Sequence, residues 1–227
     1  MRPVYVLVAL LTGFLSLPAV AATSVLVVKA GGVTKEFTAA ELLARPDVET
    51  VSVSGDPAYQ QAMSYRGVPL RALLSALPAD VADTIQARAA DGFVAEIPRA
   101  VINGAAVPWI AVEDASHPWP LMPGKTTSAS PVYLVWQHPE RAGISPEQWV
   151  YALAALTAVP SPGQRWPTIA VDSSIPEDAP ARRGQAAFVA NCLPCHRLGG
   201  VECSDRLDGW KTFFPCNGSI TAHLRER

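Results

Sequence analysis

Beyond its first two dozen residues the chain consists of short apolar runs separated by turn-forming residues, the pattern that short strands and brief helices leave in a sequence. Ser24–Lys29 is rich in β-branched residues, Gly31-Gly32 predicts a hairpin turn, and Val33–Phe37 predicts the returning strand. Thr38 and Glu41 form a capping box, which predicts a short helix through Leu42 and Leu43. In Glu49–Ser54, Val51 and Val53 alternate with polar neighbours, as in a half-buried strand. Gly67-Val68-Pro69 leads into Leu70–Leu77, where Leu70, Leu73, Leu74 and Leu77 fall on one helical face. Asp91-Gly92 lies between Thr84–Arg88 and Phe93–Ile97, a second hairpin, and Trp109–Val112 and Val132–Trp136 read as further strands.

One segment carries two signals. Ser145-Pro146-Glu147-Gln148 has a cap, a proline at the first helical position and a capping-box partner. The following Trp149–Val159 is almost continuously apolar and fits a buried strand equally well, so periodicity leaves helix and strand both open.

Composition narrows the class. Hydrophobic residues make up 49% of the 227 and charged residues 17%, enough to form a packed core. The formal net charge of −2 provides no polycationic surface, so nucleic acid is not expected as a partner. Met1-Arg2-Pro3, the apolar stretch Val4–Leu17 and Ala19-Val20-Ala21-Ala22 have the layout of a signal peptide. That reading places the mature chain outside the cytosol, in the periplasm, with no membrane span after cleavage. An uncleaved anchor is the alternative, disfavoured because the apolar stretch is short for a hydrocarbon layer.

From Pro160 to Pro180 five prolines (160, 162, 167, 176 and 180) fall among serines, the composition of a semi-rigid linker. Residues 23–180 hold 10 basic and 16 acidic side chains, whereas residues 181–227 hold 7 and 4. The sequence therefore divides into a signal peptide (1–22), an acidic front domain (23–160), a linker (161–177) and a small basic tail (178–227). The expected fold class is α+β, with a compact mixed front domain followed by a short helical segment.

All four cysteines lie in the last 36 residues, and two of them belong to Cys192-Leu-Pro-Cys195-His196. Covalent haem needs two thiols spaced for its two vinyl groups and an imidazole directly after the second to reach the iron. C-x-x-C-H provides both, and attachment takes place in exported compartments. Cys192 and Cys195 are thus the candidate attachment points for haem c, and His196 the axial iron ligand. A zinc site or disulfide using Cys203 and Cys216, or unmodified thiols, are the alternatives. A thioredoxin-type pair would require the motif at the start of a helix after a strand, whereas here it ends a helical pattern, Ala179–Asn191.

Around this pentapeptide, from about Asp178 to Gly200, the sequence resembles the start of a class I c-type cytochrome domain. The resemblance implies one-electron transfer, with Gly184 and Phe188 on a helix face that packs against a terminal helix. Such domains usually continue to a methionine ligand, but Met1, Met63 and Met122 all precede the motif, and 31 residues follow His196. Three accounts compete: His223 as a distal ligand, a five-coordinate open iron, or a truncated or frame-shifted cytochrome. The third is favoured because so few residues are left to cover a haem face. Cys203 and Cys216 either pair or are incidental.

In the front domain, Tyr65-Arg66-Gly67-Val68-Pro69-Leu70-Arg71-Ala72-Leu73-Leu74 is similar to the R-G-V-P-L-x-x-L-L segment of sulfite-oxidase-type molybdopterin-binding domains. Asp91-Gly92-Phe93 with Ile97-Pro98, and Pro131–Trp136 with Gln148-Trp149-Val150, resemble other parts of that family. The resemblance implies a compact α and β domain and makes Trp149–Val159 a strand. Members that use molybdenum bind it through a cysteine thiolate, and residues 23–191 contain no cysteine, which argues against molybdopterin here. Arg66, Arg71 and Arg99 are candidate anion contacts, with ordinary surface charge the favoured reading. His117 and His138 read as structural or exposed, and Trp109, Trp119, Trp136 and Trp149 as core or interface aromatics. The expectation is an electron carrier rather than an enzyme, with the front domain docking a redox partner protein. A haem-containing relative of a molybdopterin-dependent oxidoreductase, and a non-redox binding module with a vestigial motif, are the alternatives.

Overall fold

The computed structural model describes residues 23–75 and 82–196. The proposed signal peptide, Leu77, Cys203, Cys216 and His223 lie outside the described residues. Within them the fold is α+β, with nine strands in two sheets and a few short helices.

The first sheet has the order β2-β1-β9-β5-β6. β1 (Leu26–Ala30) and β2 (Val33–Phe37) form the first hairpin, with Gly31 and Gly32 both at positive φ, 57° and 76°. Glycine takes positive φ without a Cβ clash, so two in succession favour this turn. β9 (Leu153–Val159) runs parallel to β1 and antiparallel to β5 (Thr84–Ala89). β6 (Val94–Pro98) closes this side, its turn to β5 tightened by the Phe93 amide donating to the Asp91 carboxylate at 3.0 Å.

The second sheet is antiparallel, in the order β3-β4-β7-β8. Its members are β3 (Glu49–Asp56), β4 (Gln61–Pro69), β7 (Val107–Val112) and β8 (Val132–Gln137). Leu26, Val28, Val68, Ile85, Ile110, Leu134, Trp136 and Leu156 are fully buried, so inner residues of both sheets share one core. α1 (Ala39–Leu43) opens on the expected capping box, with the Glu41 amide donating to Thr38 Oγ1 at 3.1 Å and the Thr38 amide to Glu41 Oε2 at 2.8 Å. α2 (Leu70–Ser75) buries Leu70 and Leu73. α3 (Arg99–Ile102) follows β6.

Two places differ from, or go beyond, the sequence pattern. β4 is a strand that periodicity does not announce, because Gly67 interrupts the inward face that Met63 and Tyr65 begin. Gly67 is required by contact: a Cβ there would stand 3.1 Å from the Ile110 carbonyl oxygen of β7. In the ambiguous segment both signals prove real but consecutive. Pro146–Gln148 is one 3-10 turn, held by the Ser145 amide donating to Gln148 Oε1 at 3.1 Å, and the chain then extends into β9.

The proline-rich stretch after β9 has structure of its own. α4 (Pro162–Arg165) starts with the Ser161 amide donating to Gln164 Oε1 at 2.9 Å, and a 3-10 turn follows at Pro167–Ile169. α5 (Pro180–Asn191) then packs on β6 and on the Pro146–Gln148 turn. No described helix is long and apolar enough to cross a membrane.

Candidate functional site

The cysteine pair sits where α5 ends. Pro180 occupies the first turn, where a missing amide costs nothing, and the alanine- and arginine-rich segment propagates the helix. At the other end the Cys192 and Leu193 amides both donate to the Phe188 carbonyl, at 2.9 and 3.0 Å. The chain then curls once more, the Cys195 and His196 amides donating to the Cys192 carbonyl at 3.2 and 2.8 Å. Val189 and Leu193 are buried, so the helix and the spacer of the motif are anchored inward. Cys192 is half-buried, while Cys195 and His196 are exposed. The structure thus brings Cys192, Cys195 and His196 onto one turn at the surface.

The surroundings of Cys195 favour a protonated thiol. Partial burial first, then the Glu147 carboxylate and the neighbouring Cys192, raise it above its ordinary value. The turn also follows the C-terminal end of α5, where the helix dipole is negative and disfavours a thiolate. A reactive dithiol requires the opposite environment, a helix N-terminus or a nearby cation. Two thiols one turn apart, followed by an exposed imidazole, form a donor set that fits covalent haem. Cys192 and Cys195 are unpaired with each other.

The arginines that the sequence offers to an anionic cofactor are engaged elsewhere. Arg71 Nε donates to the Ile102 carbonyl at 2.6 Å, and its Nη2 to Gly104 at 2.6 Å and Ala106 at 3.4 Å. Arg99 Nε donates to the Ala82 carbonyl at 2.6 Å. Arg66 lies 3.6 Å from the Asp114 carboxylate. These side chains hold main-chain carbonyls or a neighbouring carboxylate, and residues 23–191 contain no cysteine.

The histidines of the front domain stay apart. His117 is exposed, its Nδ1 2.9 Å from Ser116 Oγ, and His138 is exposed, 3.7 Å from Glu140. Among the described residues no three His, Cys, Asp or Glu side chains gather as a metal site. Trp109, Trp136 and Trp149 are buried, and Trp119 meets Tyr65 edge-on at 5.1 Å between ring centres, in keeping with a packing role.

Two buried carboxylates are not evident from the sequence. Asp56, 1% exposed, accepts from Tyr65, Tyr133 and two main-chain amides. Glu96, 3% exposed on β6, accepts from Arg165 Nη2 at 2.6 Å and from Gln86 Nε2 at 3.1 Å. The Ser161–Gln164 capping signal is the available hint that Arg165 lies in an ordered turn, but its partner 69 residues earlier has no local mark.

No protein-family model matches the chain, and no curated protein matches it. Among solved structures, it is similar to the sulfane dehydrogenase SoxCD from Paracoccus pantotrophus, with a TM-score of 0.44 and 17% identity. The match covers 60% of this chain and 38% of that chain, so this protein spans well under half of its length.

Proposed function

We propose that the protein is an exported, periplasmic one-electron carrier, with haem c bound through Cys192 and Cys195 and with His196 as the axial ligand of its iron. The observation that supports this reading is the turn ending α5, which holds two thiols and the following imidazole together at the surface. Each thiol would add its S–H across one vinyl C=C of the haem to give a thioether, and His196 would supply a nitrogen donor to the iron. A haem bound there would supply the Fe(III)/Fe(II) couple. The chain's own contribution is to anchor the motif inward through Leu193 and to leave one side of it open to a partner. In this reading the front domain is a docking module for a redox partner protein, met through weak, charge-guided contacts. His223 is a candidate distal ligand.

The test is an alkaline pyridine haemochrome spectrum of the full chain, produced in a host that matures c-type haem. A c-type α-band together with a mass increase of one haem supports the reading. A colourless chain with the mass of the bare polypeptide overturns it. Molybdenum co-purifying at about one per chain would overturn the docking-module role, because the front domain would then be a catalytic unit.

A further inference from the structure

The sequence suggests a haem segment on a semi-rigid tether, but the contacts describe a clamp. β6 is the last strand of its sheet, and an uncovered edge strand exposes unpaired main-chain groups. α5 packs on this strand and on the Pro146–Gln148 turn, burying Val189 and Leu193. Three side chains fasten the stretch between β9 and α5. Arg165 Nη2 reaches the buried Glu96 carboxylate of β6 at 2.6 Å, while its Nε donates to the Pro160 carbonyl at 2.8 Å. Gln185 of α5 donates to the Ile169 carbonyl at 2.6 Å. Arg182 of α5 donates to the Ile175 and Asp172 carbonyls at 2.9 and 3.1 Å.

The Glu96–Arg165 contact is the one that joins this stretch to the sheet through charge. A carboxylate as buried as Glu96 requires a compensating cation, and among the described residues the ion-pair partner it has is Arg165. The arginine is in turn fixed by stacking on Trp166, with the guanidinium 4.3 Å from the ring centre. The requirement runs both ways: the sheet needs the arginine to neutralise β6, and the arginine brings the chain leading to α5 with it.

We infer that Arg165 is a positioning residue, whose ion pair with Glu96 locks the haem-attachment turn to the front sheet so that haem and sheet present one fixed surface to a partner. The inference builds on the proposed haem site, because that site is what the clamp positions. Separate haem and docking units on a tether would sample many relative orientations. A clamped pair offers a redox partner a single geometry.

The test uses the full chain with its haem attached, comparing wild type with R165M, R165K and the double variant E96Q/R165M. The double variant removes the unpaired carboxylate that would otherwise threaten the folding of R165M. In the double variant, hydrogen exchange over Pro162–Asn191 is expected to speed up by about tenfold or more, with protection of β1, β5 and β9 unchanged. Tryptophan emission, quenched by a haem held against the front domain, is expected to recover in R165M and the double variant and to stay quenched in R165K. Wild-type exchange and wild-type quenching in a folded double variant overturn the inference. A wild-type chain without covalent haem overturns the haem reading instead, while its exchange pattern still decides whether the clamp exists.

Discussion

Tyr65 donates its hydroxyl to the buried Asp56 carboxylate at 2.7 Å, and Tyr133 of β8, the other outer strand of the same sheet, donates to that carboxylate at 3.2 Å. The Ala58 and Tyr59 amides complete the set at 2.8 and 3.0 Å, so this side chain ties the β3–β4 turn to β8. Tyr65 and Tyr133 also meet edge to face, 5.9 Å between ring centres. In D56N an amide NH₂ would replace one acceptor oxygen and point at donors. The expected loss is about 1–3 kcal/mol in urea unfolding, the cost of leaving buried polar groups unpaired. A D56N protein as stable as wild type would show that the network is dispensable.

The same network makes the fold sensitive to alkali. Burial first, then the hydrogen bond to Asp56 and its charge, hold the Tyr65 phenol far above its ordinary value. Burial and the Asp56 charge act likewise on Tyr133. A phenol whose folded value is raised keeps its proton while the unfolded chain releases one. Stability is therefore complete below about pH 10 and declines as pH rises further. Y65F is expected to lower stability at pH 7 yet to flatten the decline above about pH 10 by one proton's share, measured as melting temperature against pH. An unchanged alkaline slope in Y65F would remove Tyr65 from this account.

Arg71 offers a direct check on the molybdopterin question. Its guanidinium serves carbonyls at and just beyond the end of α3, so R71A leaves up to three oxygens without their donor. The urea midpoint is expected to fall by an amount equivalent to about 1–3 kcal/mol, with m unchanged and haem content unaffected. An R71A chain of wild-type stability that loses a bound anionic cofactor would assign the residue to binding instead.

Gly67 tests the close approach of β4 to β7. A methyl group at this position would stand 3.1 Å from the Ile110 carbonyl oxygen and 3.4 Å from the Ala111 Cα, so G67A must push two paired strands apart. Overpacking of this kind costs about 1–3 kcal/mol. Calorimetry showing no drop in melting temperature would mean that the strands yield freely.

At the proposed attachment turn the roles separate by substitution. H196A is expected to keep both thioethers, seen as an unchanged haem mass increment, while its absorption spectrum shifts because the iron loses a nitrogen ligand. C192A/C195A is expected to lose covalent haem. Denaturation-resistant haem in that double variant would contradict the assignment of the two thiols.

Much of the front fold is legible from local signals. The Gly31-Gly32 turn, the Thr38–Glu41 box, the Asp91-Gly92 turn and the strands at Glu49, Thr84, Trp109 and Val132 each depend on residues within a few positions of one another. Geometry of that range is written into neighbouring side chains. The candidate haem turn is legible for the same reason, since its thiols and imidazole fall within five consecutive residues. β4 escapes a local reading because its identity depends on partners on both sides: Gly67 answers to β7, and Tyr65 to Asp56 and Trp119.

By itself, then, the order of residues determined the hairpins, the caps, the α+β class and the spacing of Cys192, Cys195 and His196, all matters settled within one or two turns of chain. Tertiary structure alone decided that Pro146–Gln148 is a single turn before β9, that Arg71 and Arg99 serve carbonyls, and that the proline-rich stretch is fastened to Glu96. The physical reason is desolvation. Whether a carboxylate, a guanidinium or an apolar run is buried depends on what the rest of the fold places against it, and that pairing spans distances no local pattern records.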